Sequence, residues 1–358
     1  MTLFRVHLTD LVPPLAIFVA LLGLAVTMPT LLLGLAVAGA VIAAVHHAEV
    51  IAHRVGEPFG SLILALAVTV IEVGLILTLM QADPVKAAGL PRDTVFAAVM
   101  IILNLLMGLC LMTGGIKHRE QRFQRTGIGA ALATLTALTV LTLVLPNFTS
   151  SVAGPHYSPV QLGSVAAISL WLYATFALVQ TVRHRDYFLP ADEDQKDDPE
   201  AHAAPPTMQR TLLSLVMLLF SLVAVVVGAK LLSPTIGAGL VAIGAPAAVL
   251  GVVIAALVLA PESVAAIRAA RADRLQTSLN LALGSALATI GLTIPAVALL
   301  SIVTGIPVAL GLDGKSTVLL FLSLIVASQT LANGRTTVLQ GAIHLTIFAV
   351  YLVLTFIP

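Results

Sequence analysis

Charged residues are scarce in this chain: Asp, Glu, Lys and Arg account for only 10% of its 358 residues, whereas 59% are hydrophobic. Soluble domains average about 25% charged residues. A soluble domain could not bury this much apolar surface, so the composition predicts an all-α polytopic membrane protein. The formal net charge of +1 gives no indication of a nucleic-acid partner.

Cysteine is almost absent as well. The single Cys110 excludes an internal disulfide framework, and the sequence has no Cys/His cluster of the kind that holds a soft metal. It also lacks the H-E-x-x-H and G-x-S-x-G motifs, which argues against an intramembrane enzyme. We therefore expect neither catalysis nor a resident cofactor.

Long apolar segments dominate what is present, and eleven of them are long enough to cross a bilayer as helices. No signal-peptide cleavage motif ends the first segment, so we expect it to be retained. The predicted spans are 11–28, 30–54, 58–81, 93–115, 126–146, 160–183, 210–231, 244–270, 274–304, 315–333 and 336–357.

Basic residues fall unevenly on the two sides of these spans. Fourteen of the eighteen lie on one side, and the other side holds Lys86, Arg92, Lys230 and Lys315. Cytoplasmic loops are enriched in Lys and Arg. We therefore predict a bacterial inner-membrane protein with a cytoplasmic N-terminus and a periplasmic C-terminus.

The longest polar segment, 184–209, is rich in acidic residues and is predicted to be a cytoplasmic linker. A Ca²⁺-sensing role is the alternative, although no EF-hand spacing supports it. The linker separates an extra N-terminal helix (1–29) and a first set of five spans (30–183) from a second set of five (210–358). Because five is odd, the two five-helix halves must have opposite orientations, as in an inverted repeat.

A lone acid occupies the second span of each half. Glu72 lies 14 residues after Pro58 and Glu262 lies 16 residues after Pro246, and each proline ends a Gly-x-Pro sequence. A carboxylate inside a membrane helix costs roughly 2.5–3.5 kcal/mol on insertion scales, so it indicates a functional site. Pseudo-symmetry predicts that both acids lie at the midplane and face each other. The alternative is that each acid is paired with a base or protonated for packing.

Proline directly precedes the second acid. Pro261 has no backbone N–H, and we expect it to break the helix and to free carbonyl oxygens beside Glu262. Carboxylate and carbonyl oxygens are the hard ligands that Ca²⁺ prefers. The two acids are therefore predicted to bind a transported cation.

Recognisable motifs surround the acids. In the first half they are Gly56–Gly60, Glu72 and the G-G-x-x-H-x-E-Q-x-F sequence of Gly114–Phe123. In the second half they are Glu262, the basic link Arg268–Arg274, Gly284–Pro295 and Asn333–Ala342. With these motifs the chain resembles the H⁺/Ca²⁺ exchanger branch of the cation/Ca²⁺ exchanger superfamily, and within it the bacterial sodium/calcium–proton antiporters.

The resemblance implies a secondary transporter that exchanges cytoplasmic Ca²⁺ for protons by alternating access, with Na⁺ or K⁺ as further cargo. The family often places Gly-Asn-Ala before each acid. Here the corresponding residues are Thr69-Val70-Ile71 and Leu259-Ala260-Pro261. A monovalent cation/proton antiporter is therefore one alternative, and a cation channel is another.

Further ligands are predicted on and after the acid-bearing spans: Asn104, which matches an amide of the family, and Ser285, Thr289 and Thr69. Ser and Thr in membrane helices often bond only to the preceding turn, which is the alternative for the three hydroxyls.

Near the predicted cytoplasmic ends of the second and third spans, Glu49, His53 and Glu57 are candidates for a proton pathway. The alternative is that they mark a solvated helix end. The expected partners are membrane lipid and transported cations, and the sequence leaves the oligomeric state open.

Overall fold

The computed structural model describes residues 8–56, 59–82, 87–188 and 205–357. In these residues the fold is helical, with one short pairing of strands β1 (Gln121–Arg122) and β2 (Arg335–Thr336). The helices in chain order are α1 Leu8–Ala25, α2 Thr30–Val55, α3 Phe59–Ala82, α4 Leu90–Met100, α5 Met107–His118, α6 Arg125–Thr139, α7 Pro159–Leu178, α8 Met208–Ala242, α9 Ala248–Arg271, α10 Leu275–Ala288, α11 Ile294–Thr304, α12 Gly314–Leu331 and α13 Val338–Phe356.

The predicted set of membrane spans is confirmed. Ten helical segments in the described residues are long and apolar enough to cross a membrane, and α1 is a shorter apolar helix. In two of the ten segments, a π-helical turn joins two α-helices into one long span. These turns are Ile101–Leu106 between α4 and α5, and Thr289–Thr293 between α10 and α11.

Two expectations about helix ends are wrong, and both involve proline. The helix α8 runs through Pro234 to Ala242, well past the predicted end at 231. The helix α9 continues through Pro261 without a break. Membrane helices tolerate internal proline because neighbouring groups and small backbone adjustments satisfy the freed carbonyl groups.

The helices form two compact units. The first unit contains α1, α2, α3 and α8, and the second contains α4–α7 and α9–α13. Each unit therefore draws helices from both predicted halves. The boundaries of the halves stay a prediction, and residues 189–204 of the predicted linker lie outside the described residues.

Polar contacts fasten α1 to the rest of the first unit. Arg210 of α8 donates to the Asp10 carboxylate at 2.7 Å. His47 of α2 is fully buried, with its ring nitrogens 3.3 Å from Ser214 Oγ and 3.2 Å from the Thr9 carbonyl oxygen. An apolar cluster adds to the packing of this unit: Leu33, Val37 and Leu232. The additional N-terminal helix is thus an integral part of its unit.

In the second unit, glycine allows two close helix contacts. A Cβ atom added at Gly341 of α13 would lie 2.6 Å from the Met112 backbone nitrogen of α5. One added at Gly251 of α9 would lie 2.7 Å from the Asp93 carbonyl carbon of α4. Since real Cβ atoms do not approach so closely, only glycine permits these contacts. They hold the span that contains Asn104 close to α13 and α9.

Two loops pair with each other through short strands. One loop ends the G-G-x-x-H-x-E-Q-x-F sequence, and the other contains Asn333–Arg335. The antiparallel strands pair Gln121 with Thr336 and Arg122 with Arg335. The Gln121 amide also donates to the Ala270 carbonyl at 2.9 Å, at the end of α9. In this chain the motif therefore has a clear scaffold role, tying three loops of the second unit together.

Candidate functional site

Glu72 lies near the middle of α3, in the first unit, and only 2% of its surface is exposed. Its helix neighbours Ile71 and Ile76 are buried too. Thr69 lies one turn earlier and donates its hydroxyl to the Ala65 carbonyl at 2.8 Å. This is the local bond considered above as the alternative, yet the hydroxyl oxygen retains lone pairs that can coordinate a cation.

Glu262 lies in α9, in the second unit, and is half-buried. Although the helix is continuous here, Pro261 still has no N–H to donate. The carbonyl group of Leu257, four residues earlier, therefore lacks its usual helical donor. The predicted break in α9 is therefore wrong, but the predicted release of a backbone acceptor within about one turn of Glu262 still follows from Pro261.

The described residues contain four π-helical turns, and the two that join α-helices lie at corresponding places, in the third span of each predicted half. Asn104 is part of the first turn, and Thr289 begins the second. Ser285 precedes Thr289 by four residues and therefore shares its helix face; it is half-buried, and Thr289 is 4% exposed. Because π-helical turns often occur at functional sites, their position supports these three residues as candidates.

Asn104 belongs to a buried polar network within the second unit. Its amide nitrogen donates to Ser323 Oγ of α12 at 2.8 Å, and its amide oxygen lies 3.4 Å from His344 Nδ1 of α13. The other ring nitrogen of His344 lies 3.1 Å from Thr330 Oγ1. Asn104, Ser323 and His344 are fully buried. The amide of Asn104 is thus held in position by two other helices.

Sequence reasoning missed Ser323, Thr330 and His344. A usable signal was present, because Ser323 and Thr330 are seven residues apart and so lie on one face of α12. His344 is also an isolated ionisable residue in an apolar helix, the pattern that singled out Glu72 and Glu262.

Two of the three candidates for a proton pathway lie near the end of α2. Glu49 and His53 are exposed, as expected for a solvated helix end, and Glu57 lies outside the described residues. The buried ionisable residue of this part of α2 is His47, which sequence reasoning did not single out. Among the described residues, no group of three or more His, Cys, Asp or Glu side chains is placed to hold a resident metal ion.

Comparison with known proteins identifies similar sequences over almost the whole chain. A family model described as sodium/calcium exchanger protein matches residues 15–182 and 213–357. The Sinorhizobium fredii protein y4hA, to which ionic transport is ascribed, is 49% identical over 320 residues, covering 89% of this chain and 86% of that protein. The sodium-potassium/proton antiporter ChaA of Escherichia coli is 37% identical over 312 residues, covering 87% and 84% of the two chains.

Solved structures share the fold at low sequence identity. YfkE superposes with a TM-score of 0.71 at 17% identity, covering 98% of this chain and all of that one. The H⁺/Ca²⁺ exchanger CAX has the same TM-score and identity, with 96% and 87% of the two chains covered.

Proposed function

This chain belongs to the sodium/calcium exchanger protein family, and we propose that it exchanges cytoplasmic Ca²⁺ for protons across the bacterial inner membrane. One observation supports the proposal most strongly: each half carries a carboxyl group inside its second membrane helix, Glu72 in α3 and Glu262 in α9. Intramembrane acids are typical of ion pathways and proton relays.

Protons and the cation compete for these carboxyl groups in the proposed mechanism. Removal of a carboxyl group from water favours its neutral form, whereas a nearby cation favours the ionised form. Occupancy by one ion therefore excludes the other. Glu72, at 2% exposure, is the more deeply buried of the two acids.

The remaining ligands are proposed to be neutral oxygen atoms. The candidates are the Leu257 carbonyl released by Pro261, the hydroxyls of Thr69, Ser285 and Thr289, and the Asn104 amide oxygen. The 3.4 Å contact from that amide oxygen to His344 is long, and the oxygen has a second lone pair that can coordinate a cation. Oxygen ligands of this kind suit Ca²⁺, which takes six to eight of them.

Exchange also requires that the site open to one side at a time. We propose alternating access, in which a group of helices moves against a fixed ion site as protons and cation alternate, as in transporters built from inverted repeats. Since the proton gradient of bacteria points inward, proton entry would drive cation export.

A monovalent cation/proton antiporter is the second candidate. It is favoured by the 37% identity to a sodium-potassium/proton antiporter over most of both chains. The residues before the acids, Thr69-Val70-Ile71 and Leu259-Ala260-Pro261, also provide few side-chain ligands for a divalent ion.

Purified protein in proteoliposomes with an imposed pH gradient separates the candidates. A pH-sensitive dye inside the vesicles reports proton movement when Ca²⁺, Na⁺ or K⁺ is added outside. Proton movement driven by Ca²⁺ supports the first proposal. A response to Na⁺ or K⁺ alone assigns the second, and cation leak without proton movement would indicate a channel and overturn both.

Orientation is tested separately with topology reporters. We propose a cytoplasmic N-terminus, so a reporter fused after Asp194 should be cytoplasmic and one fused after Ser151 periplasmic. The reverse result at either position would contradict the opposite orientation of the two halves.

A further inference from the structure

A groove between α6 and α12 in the second unit opens on the surface where β1 and β2 pair. It encloses about 430 Å³. On α6 its lining residues recur every three or four positions, as Arg125, Gly129, Ala133 and Thr136 do, and so form one helix face. A Cβ atom added at Gly129 would have no heavy atom within 4 Å. Small side chains thus leave real free space along the face of α6.

A basic basin adjoins the groove at its open end, and Arg125 and Thr126 line both. The basin also contains Arg122 and Arg335, whose side chains are 78% and 60% exposed. The Glu120 carboxylate lies 3.6 Å from Arg122 Nε and 3.5 Å from Arg335 Nη1. One carboxylate cannot balance three guanidinium groups, so the basin has a net positive charge.

The strand pairing concentrates positive charge in the basin, because Arg122 lies directly opposite Arg335. Like charges at directly opposed positions of an antiparallel pair are destabilising. The helix α6 begins at Arg125, beside the basin, and its N-cap residue Gln124 makes no side-chain cap hydrogen bond. The positive end of the helix dipole adds to the field there. The basin therefore favours an anion.

We propose that the basin and groove bind one anionic phospholipid, with its phosphate on Arg122, Arg125 and Arg335 and an acyl chain along Gly129 and Ala133. Guanidinium groups bind phosphate oxygens in a bidentate manner. Basic pockets between membrane helices on the cytoplasmic side are known to bind anionic head groups. A soluble phosphate would use the basin alone, whereas a phospholipid uses the basin and the groove together.

The test measures lipid binding to the purified full-length protein by native mass spectrometry. The probes are dioleoylphosphatidylglycerol, dioleoylphosphatidylcholine and inorganic phosphate. We expect phosphatidylglycerol to bind at least tenfold more tightly than phosphatidylcholine, and millimolar phosphate not to displace it. Equal binding of the two lipids, or full displacement by phosphate, would overturn the proposal.

Two variants address the head group and the chain separately. The double variant Arg125→Gln with Arg335→Gln should weaken phosphatidylglycerol binding at least tenfold. Gly129→Leu keeps every charge and adds bulk to the groove from a position whose Cβ would have no heavy atom within 4 Å, so it should weaken binding severalfold with an unchanged melting temperature. Matched controls are Arg268→Gln, an exposed arginine of α9, and Gly34→Leu, whose Cβ position in α2 is likewise open. Binding unaffected by Gly129→Leu, or equally reduced by the controls, would exclude the site.

Discussion

Glu72 and Glu262 occupy corresponding spans of the two predicted halves, but their surroundings differ. Glu72 is 2% exposed on a helix without internal proline, and nearby Thr69 keeps a local hydrogen bond. Glu262 is half-buried and directly follows Pro261, which leaves the Leu257 carbonyl without a helical donor. We infer that a cation at the first acid relies on side-chain oxygens such as that of Thr69, whereas a cation at the second can also take the Leu257 carbonyl oxygen of the backbone. Repeated acids therefore need not be chemically equivalent.

Replacement of either acid should have the largest effect. Glu72→Gln and Glu262→Gln retain size and most hydrogen bonding but cannot exchange a proton, so each should reduce cation-driven proton movement by at least about 100-fold. Insertion should be unchanged or improved, since a membrane charge is removed. The assay is the proteoliposome measurement, with protein content checked by immunoblot. Near wild-type exchange by Glu72→Gln would remove this acid from the site.

Replacement of Pro261 should show whether the freed backbone carbonyl of α9, which has no counterpart in α3, contributes to exchange. In Pro261→Ala, the new N–H would donate to the Leu257 carbonyl and withdraw it from a cation. We expect exchange to fall about tenfold, with a higher melting temperature because the helix gains a hydrogen bond.

Pro234→Ala in α8 is the matched control, because it also repairs a membrane helix but Pro234 does not adjoin either acid in the sequence. It should leave exchange within about twofold of wild type. Equal losses in the two proline variants would mean that helix flexibility, and not a freed carbonyl, is what matters at Pro261.

The buried network around Asn104 gives a smaller, mainly structural effect. His344→Ala leaves buried groups of Asn104 and Thr330 without their partner, which should cost about 1–3 kcal/mol of stability. Thermal unfolding in detergent measures this loss. Thr346→Ala, an exposed hydroxyl on the same helix bonded only to Ala342, is the control and should be close to neutral. Full stability of His344→Ala would show that the network does not hold Asn104.

The smallest effects are expected at the exposed end of α2. Glu49→Gln and His53→Gln each alter an exposed side chain at a helix end, so exchange should change by less than about twofold. Initial rates at several external pH values provide the measurement. A loss comparable to that of Glu72→Gln would place a proton pathway at this helix end.

Much of the fold could be predicted from the sequence, because apolar length and the distribution of lone acids are direct consequences of the membrane environment. Ten of the eleven predicted spans correspond to helices long and apolar enough to cross a membrane, and the first corresponds to the shorter apolar helix α1. The continuity of α9 was not predicted, since Pro261 breaks helices in water but is tolerated among packed membrane helices.

The candidate site was predicted less completely. The acids stand out because a single charge in an apolar helix is costly. His344, Ser323 and Thr330 each carry a local signal, but their meeting with Asn104 depends on the close approach of α5 and α13 at Gly341, which no local pattern specifies. The partition of the helices into two units likewise depends on long-range packing, with α8 joining α1–α3.

Proton release on cation binding tests the central claim most directly. Purified protein in weakly buffered detergent solution at neutral pH is titrated with Ca²⁺, and in parallel with Na⁺ and K⁺, while a pH dye counts the protons released. The account predicts release with the transported cation in the wild type, and strongly reduced release in both Glu72→Gln and Glu262→Gln. Cation binding, seen by calorimetry, with no proton release, or with undiminished release in both variants, would contradict competition for these two carboxyl groups.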